Sequence, residues 1–171
     1  KIPFMVDNTV ATPALLKPIE HGANIVIHSL TKYINGNGTS MGGVIIDAGT
    51  FDWSSGKFPE FTSPSPSYHG LNYHEALGPA AYIARIRVEG LRDLGGAISP
   101  FNAFQIIQGI ETLEVRMEKH SQNALELAQW LSENEAVEWV NYPGLASSKY
   151  KALADEYLPN GQSGVVTFGA K

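Results

Sequence analysis

The sequence contains no cysteine, which excludes disulfide bonds and thiolate metal sites within its 171 residues. It also lacks a recognisable signal peptide and any apolar run long enough to cross a bilayer, so we expect a cytoplasmic protein without a membrane partner. Charge is sparse: 17% of the residues are charged and the net charge is −5, which argues against nucleic acid as a partner. His69 and His74 have no carboxylate at helical ligand spacing, so we expect no metal site.

The segment 25–43 combines a short apolar strand with a polar, glycine-rich turn. Valine and isoleucine at positions 25–27 favour a buried strand, and four glycines at positions 36–43 favour a turn with left-handed backbone or close approach. Ser29 and Thr31 alternate at the strand end, so their hydroxyls can point to one side, with Lys32 beside them. Two hydroxyls and an amine can hold a phosphate next to a nucleophile. The alternative is an ordinary solvated turn, since such short strings also occur by chance.

Asp7 favours the functional interpretation of this segment. It closes a predicted apolar strand, and a carboxylate at the C-terminal end of a strand lies where open α/β sheets bind ligands. Lys32 follows the next predicted strand and would face the same crevice. Pyridoxal phosphate requires such a set, because a lysine forms its Schiff base and a carboxylate holds the proton on its ring nitrogen. The sequence therefore predicts a pyridoxal-phosphate site with the hydroxyls of Ser29 and Thr31 on the phosphate.

Two groups of motifs carry a family resemblance. The first comprises residues 6–9, 29–33 and 38–43, and the second comprises residues 68–71, 91–95, 99–104 and 108–117. The first group resembles the cystathionine and methionine metabolism family of pyridoxal-phosphate enzymes. The second group resembles the O-acetylhomoserine sulfhydrylase branch of that family.

The resemblance implies an α/β fold of fold type I, related in architecture to aspartate aminotransferase. The large domain of this fold has a mostly parallel sheet, and an α+β C-terminal domain follows it. Residues 1–114 would form the later part of the cofactor-binding large domain, and residues 115–171 the connecting helix and the start of the small domain. The relatives extend beyond both ends of this stretch, so we expect the chain to correspond to their middle part and to need the remaining segments of the same enzyme.

The resemblance also implies a reaction, γ-replacement on O-acetyl-L-homoserine with sulfide or methanethiol, giving homocysteine or methionine and acetate. Lys32 would be the catalytic residue, and the cofactor-binding residues would be Asp7, Thr9, Ser29, Thr31 and Lys32. The implied assembly is a homo-oligomer, a dimer of dimers. Two alternatives stay open: a family neighbour such as cystathionine γ-synthase or a γ-lyase, and a catalytically inactive assembly module.

The remaining pattern predicts alternating strands and helices, typical of a largely parallel α/β sheet. Helices are predicted at residues 14–21, 80–94 and 149–157, from Ser99-Pro100 onward, and in a long amphipathic segment reaching residue 131. Further strands are predicted at 44–47, 137–142 and 165–168.

The stretch 49–79 is predicted to be a functional or interface loop, although its aromatic residues could equally form a satellite core. The arginines of the 80–94 helix are expected in solvent or ion pairs.

Overall fold

The computed structural model describes residues Lys1–Lys171, which form five strands and eight α-helices. The strands are β1 (Met5–Asp7), β2 (Ile25–Ser29), β3 (Gly43–Asp47), β4 (Val137–Asn141) and β5 (Thr167–Ala170). The helices are α1 (Thr12–Leu15), α2 (Pro59–Thr62), α3 (Tyr73–Leu77), α4 (Ala81–Arg85), α5 (Arg92–Leu94), α6 (Pro100–Ile110), α7 (Leu113–Ser132) and α8 (Lys151–Tyr157). A π-helical segment, Ile86–Leu91, joins α4 to α5. None of the helices combines the length and apolar character that a membrane span requires.

The chain divides into two compact units, each assembled from several segments. The first unit contains Lys1–Asp7, Pro18–Ile27 and Gly43–Pro100, and the second contains Asn8–Lys17, His28–Gly42 and Phe101–Lys171. The predicted division into a large and a small domain after residue 114 stays a prediction.

Three strands form one sheet in the order β1-β2-β3. β1 and β2 are parallel, with Met5 opposite Ile25 and Asp7 opposite Ile27. Ile25 and Val26 are buried, as expected for β-branched residues in a covered strand. The predicted parallel arrangement of these two strands is therefore present in the structure.

The aromatic residues of the stretch 49–79 build the core of the first unit. Trp53, Phe61 and Tyr73 are buried, and the Trp53 ring stacks on Tyr82 with centroids 5.1 Å apart and planes 4° apart. The stretch also contains α2 and α3, so the prediction of one long loop was wrong. Of the two interpretations of its aromatic residues, the structure supports a core for these three, because their burial removes large apolar surfaces from water.

Two predicted helices differ from the structure. The helix predicted at 14–21 stops at Leu15 and gives way to a 3₁₀ turn at Pro18–His21, because proline cannot donate a helical hydrogen bond. Thr12, the first residue of α1, is fully buried and left-handed, with φ of 61°. The helix predicted at 80–94 contains the π-helical segment, in which Gly90 lowers the α-helical propensity.

Two of the three arginines in this region pair with carboxylates and the third, Arg87, is exposed, as expected. Arg85 lies 3.0 Å from Glu89 and 3.8 Å from Glu60, and Arg92 lies 2.7 Å from Asp93.

The second unit is built around α6 and α7. Its apolar cores contain most of the positions predicted from helical spacing, namely Leu113, Met117, Ala124, Ala128 and Leu131, whereas Ile110 is half exposed. β4 and β5 pair antiparallel, and β5 begins two residues later than predicted. Tyr142 is buried beside α7, and its hydroxyl donates to the carbonyls of Ser163 at 2.9 Å and Ser121 at 3.2 Å.

Helix α6 contacts the chain segment after β2 directly at Gly109. A Cβ at Gly109 would lie 2.1 Å from the Asn35 carbonyl oxygen and 2.8 Å from that of Ile34, which is closer than real Cβ contacts allow. The absence of a side chain at Gly109 therefore lets the two backbones touch.

We predict that Gly109→Ala destabilises the protein by about 1–3 kcal/mol, because the added methyl group must displace backbone rather than a flexible side chain. Thermal unfolding followed by circular dichroism measures the effect. Gly90→Ala is the matched control, since a Cβ there has its nearest contact at 3.8 Å. Equal midpoints for the two variants would contradict the prediction.

Candidate functional site

Residues 29–42, here called the Lys32 turn, leave β2 and close on themselves by backbone hydrogen bonds. The Leu30 N–H donates to the Gly42 carbonyl at 2.9 Å, and the Gly36 N–H donates to the Lys32 carbonyl at 2.8 Å. Gly36 and Gly38 have φ of 73° and 66°, where glycine is favoured because it has no Cβ. The glycine-rich turn predicted after β2 is therefore present and internally bonded.

The Thr31 hydroxyl joins the two ends of this turn. It donates to the Gly42 carbonyl at 3.3 Å and accepts from the Gly42 N–H at 3.2 Å. The hydroxyl thus satisfies both backbone groups of one residue. Its assignment as a phosphate ligand stays a prediction.

The Thr9 side chain contacts the end of β2. Its hydroxyl oxygen accepts from the Ser29 N–H at 2.7 Å. The preceding Asn8 is buried and donates from Nδ2 to the Leu16 carbonyl at 2.8 Å. The structure therefore brings Thr9 and Ser29 together within the second unit.

Asp7 is the last residue of β1 and belongs to the first unit. It is exposed and stands opposite Ile27 in the parallel register. The approach of its carboxylate to the Lys32 amine stays a prediction.

A cavity of about 510 Å³ opens beside Lys32 within the second unit. Lys32 is exposed and forms part of its wall together with Thr9, both of which the sequence predicts as site residues. The complete lining is Thr9, Val10, Lys32, Tyr33, Gly36, Gly38, His120 and Val165. A volume of this size is typical of pockets that bind small organic ligands and cofactors.

Two aromatic residues of the lining were not predicted. The Tyr33 and His120 rings lie against each other with centroids 5.2 Å apart. Gly164 packs on this pair, since a Cβ there would lie 2.9 Å from the Tyr33 hydroxyl.

Arg116 is a further residue that the sequence reasoning missed. Its guanidinium donates to the Tyr33 carbonyl at 2.7 Å, and burial lowers its pKa below the ordinary arginine value. Arg116 and His120 are four residues apart on α7, so they share one helix face. Their spacing relates the two residues to each other, but no local pattern relates them to the Lys32 turn, 83 residues away.

The arrangement supplies an amine, a hydroxyl and aromatic walls around one opening, a set suited to covalent binding of a carbonyl compound. No group of three or more His, Cys, Asp or Glu side chains is placed to hold a metal ion.

Comparison with protein families gives a match over residues 1–171 to the Cys/Met metabolism PLP-dependent enzymes. The chain belongs to this family. The O-acetyl-L-homoserine sulfhydrylase of Leptospira meyeri is 53% identical over 96% of this chain and 39% of that protein. The homocysteine/cysteine synthase of Saccharomyces cerevisiae is 50% identical over 99% of this chain and 39% of that protein. The chain thus spans about two fifths of the length of these curated relatives.

Similarity to a solved structure confirms the predicted fold class. It is a Campylobacter jejuni protein described as an O-acetylhomoserine (thiol)-lyase with a pyridoxyl-lysine monophosphate residue. It superposes with a TM-score of 0.93 at 44% identity, covering 99% of this chain and 43% of that chain. The chain therefore has the α/β fold, of fold type I, that the motifs predicted.

We predict that Thr31→Val lowers the stability of this family member by about 1 kcal/mol even without cofactor, because the Gly42 N–H loses its partner and the Gly42 carbonyl keeps only the Leu30 N–H. The midpoint of thermal unfolding of the cofactor-free protein measures this loss of stability. Thr167→Val makes the same chemical change at an exposed position of β5 and should leave the midpoint unchanged. A Thr31→Val protein as stable as the Thr167→Val protein would show that the bridge contributes nothing.

Proposed function

We propose that this chain is the Lys32-bearing part of an enzyme that uses pyridoxal phosphate for γ-replacement on O-acetyl-L-homoserine. Sulfide or methanethiol is the proposed nucleophile, and homocysteine or methionine and acetate are the proposed products. The observation that carries the proposal is an exposed lysine in the wall of a cavity of about 510 Å³, at the start of a hydrogen-bonded glycine turn. The names of relatives at 50% and 53% identity support the choice of reaction.

The residues around this cavity fit the cofactor. Lys32 supplies the primary amine that an aldehyde requires, and the cavity volume exceeds that of a single pyridine ring with its substituents. The glycines at 36 and 38 line the opening without side chains, so an aromatic ring can approach the backbone there. The Campylobacter jejuni relative carries its pyridoxyl group on a lysine, which supports the same role for Lys32.

Each predicted site residue has a proposed task. Bound pyridoxal phosphate supplies an electron sink for negative charge that develops on the substrate carbons. Lys32 would hold the cofactor through its amine and then move protons at the substrate Cα and Cβ. Asp7 would hold the proton on the ring nitrogen, and Ser29 would donate its hydroxyl to the phosphate. The Thr31 hydroxyl would do the same by turning its proton from the Gly42 carbonyl to a phosphate oxygen. Thr9 would contribute by keeping the Ser29 backbone in place, as its 2.7 Å bond does in the structure.

The lining of the cavity favours a small nucleophile. Lys32 and His120 are the ionisable side chains of its wall apart from the tyrosine, and Lys32 is assigned to the cofactor. Sulfide or methanethiol needs only an opening beside Cγ of the substrate. Cysteine would bring a second amino-acid head group, whose carboxylate and ammonium need charged partners of their own.

Assembly and location are proposed from the family resemblance. We propose a cytoplasmic homo-oligomer, a dimer of dimers, in which the remaining segments of the same enzyme complete the site.

We predict that Lys32 carries the cofactor covalently in the protein that contains this chain. Borohydride reduction of the loaded protein, followed by peptide mass mapping, should locate the pyridoxyl group on Lys32, because its amine lines the cavity. Lys17 and Lys57 are exposed and serve as internal controls in the same sample. Lys32→Arg keeps the positive charge and cannot form the linkage, so it should give no adduct. An adduct on Lys17 or Lys57, with none on Lys32, would refute the assignment of Lys32 as the cofactor-binding lysine.

We predict that sulfide is a better nucleophile than cysteine. The test compares kcat/KM for the two donors at saturating O-acetyl-L-homoserine, with acetate release as the common readout. We expect the value for sulfide to be larger by at least about tenfold, since the part of the cavity wall that this chain supplies offers no second charged subsite and the relative at 53% identity is named a sulfhydrylase. A larger value for cysteine would place the chain with the cystathionine synthases. No acetate release with either donor would refute the proposed reaction.

A further inference from the structure

Arg116 lies in the first turn of α7 and contacts the Lys32 turn at two successive carbonyls. Its Nη1 donates to the Tyr33 oxygen at 2.7 Å, and its Nη2 donates to the Ile34 oxygen at 3.4 Å. These are the two residues that follow Lys32 in the chain. Their carbonyls point to Arg116 while the Gly36 N–H bonds back to the Lys32 carbonyl, so the backbone is held on both sides of Tyr33.

The same guanidinium is also bonded to the junction of α6 and α7. Its Nη2 donates to the Gly109 carbonyl at 2.7 Å, and its Nε donates to the Thr112 hydroxyl at 3.0 Å. All four acceptors are neutral oxygens, and none is a carboxylate. The guanidinium therefore joins two chain segments, the Lys32 turn and the junction of α6 and α7. Several simultaneous bonds of this kind suit the planar fork of arginine and not the single ammonium of lysine.

The position of Gly36 shows how closely the guanidinium lies on the turn. A Cβ at Gly36 would lie 2.4 Å from Nη1 and 2.6 Å from Cζ of Arg116. Gly36 and Tyr33 both line the cavity beside Lys32. Arg116 therefore packs against two residues that form the wall of the proposed cofactor cavity.

We propose that Arg116 is a positioning residue for Lys32: by joining the Tyr33 and Ile34 carbonyls to the junction of α6 and α7, it keeps Lys32 at the cavity wall. This inference rests on the proposed function, in which Lys32 binds pyridoxal phosphate. Arg116 acts through the backbone and does not contact the reacting atoms itself.

The test compares Arg116→Lys with Arg87→Lys in the protein that contains this chain. Both changes keep the charge, and Arg87 is exposed in the π-helical segment of the first unit. Two quantities are measured. The first is hydrogen exchange of the Asn35 and Gly36 amides without cofactor, since these amides bond to Leu30 and Lys32 within the turn. The second is the rate at which added pyridoxal phosphate becomes trappable by borohydride on Lys32, with Lys57 as the reference amine.

In Arg116→Lys, we expect faster exchange at Asn35 and Gly36 and capture at Lys32 that is slower by on the order of tenfold, while capture at Lys57 is unchanged. Arg87→Lys should match the unmodified protein in both measurements. A purely structural role would lower the thermal midpoint and speed exchange throughout the second unit, yet leave capture by the folded protein unchanged. That result would overturn the inference.

A milder variant keeps the inference testable if Arg116→Lys does not fold. Thr112→Val removes the acceptor of the Arg116 Nε, together with the 3.5 Å hydrogen bond from the Thr112 hydroxyl to the Gly109 carbonyl, and leaves the other three Arg116 bonds in place. It should give the same two changes at smaller size. Unchanged exchange and capture in a folded Thr112→Val protein would then overturn the proposal. If the unmodified protein fails to capture the cofactor on Lys32, the proposed function fails, and the exchange measurement alone decides whether Arg116 holds the turn.

Discussion

The second unit depends on a backbone contact that exists because residue 109 has no side chain. Helix α6 lies directly on the Asn35 and Ile34 carbonyls, and this approach brings Ile34 into the apolar core with Leu15, Ile106, Leu113 and Met117. The turn that carries Lys32 is therefore part of a packed layer and not a free surface loop. In a closely packed interior, a shift of one element displaces its neighbours, so the position of the Lys32 turn depends on α6 and α7.

Polar side chains around Lys32 are used largely to satisfy backbone groups. Thr9 accepts the Ser29 N–H, Thr31 bonds both groups of Gly42, and Asn35 donates to the Ser40 carbonyl. Each bond contributes only about 1 kcal/mol, but together they leave the turn few alternative conformations. A reactive amine on such a turn is held in place before any ligand arrives. Less conformational entropy of the turn is therefore lost when a ligand binds.

The features that could be predicted from the sequence depend on residues close together in the chain. The features that could not be predicted depend on contacts between residues far apart in the chain. β2 and its glycine turn were predictable because β-branched residues and glycines act on their own backbone. The acid and lysine motifs at Asp7 and Lys32 were recognisable from their neighbours. Arg116 was not, since its partner Tyr33 is 83 residues away. The left-handed Thr12 and the buried rings of the stretch 49–79 depend likewise on tertiary packing, which single-sequence periodicity does not contain.

The three tryptophans are distributed so that each unit has its own optical reporter. Trp53 is 3% exposed and enclosed by Phe51, Phe58 and Tyr82, whereas Trp130 and Trp139 are 59% and 51% exposed in the second unit. An indole in an apolar enclosure emits at shorter wavelength than one in water. The short-wavelength part of the fluorescence therefore follows melting of the first unit alone, and single tryptophan-to-phenylalanine variants would separate the unfolding of the two units in one experiment.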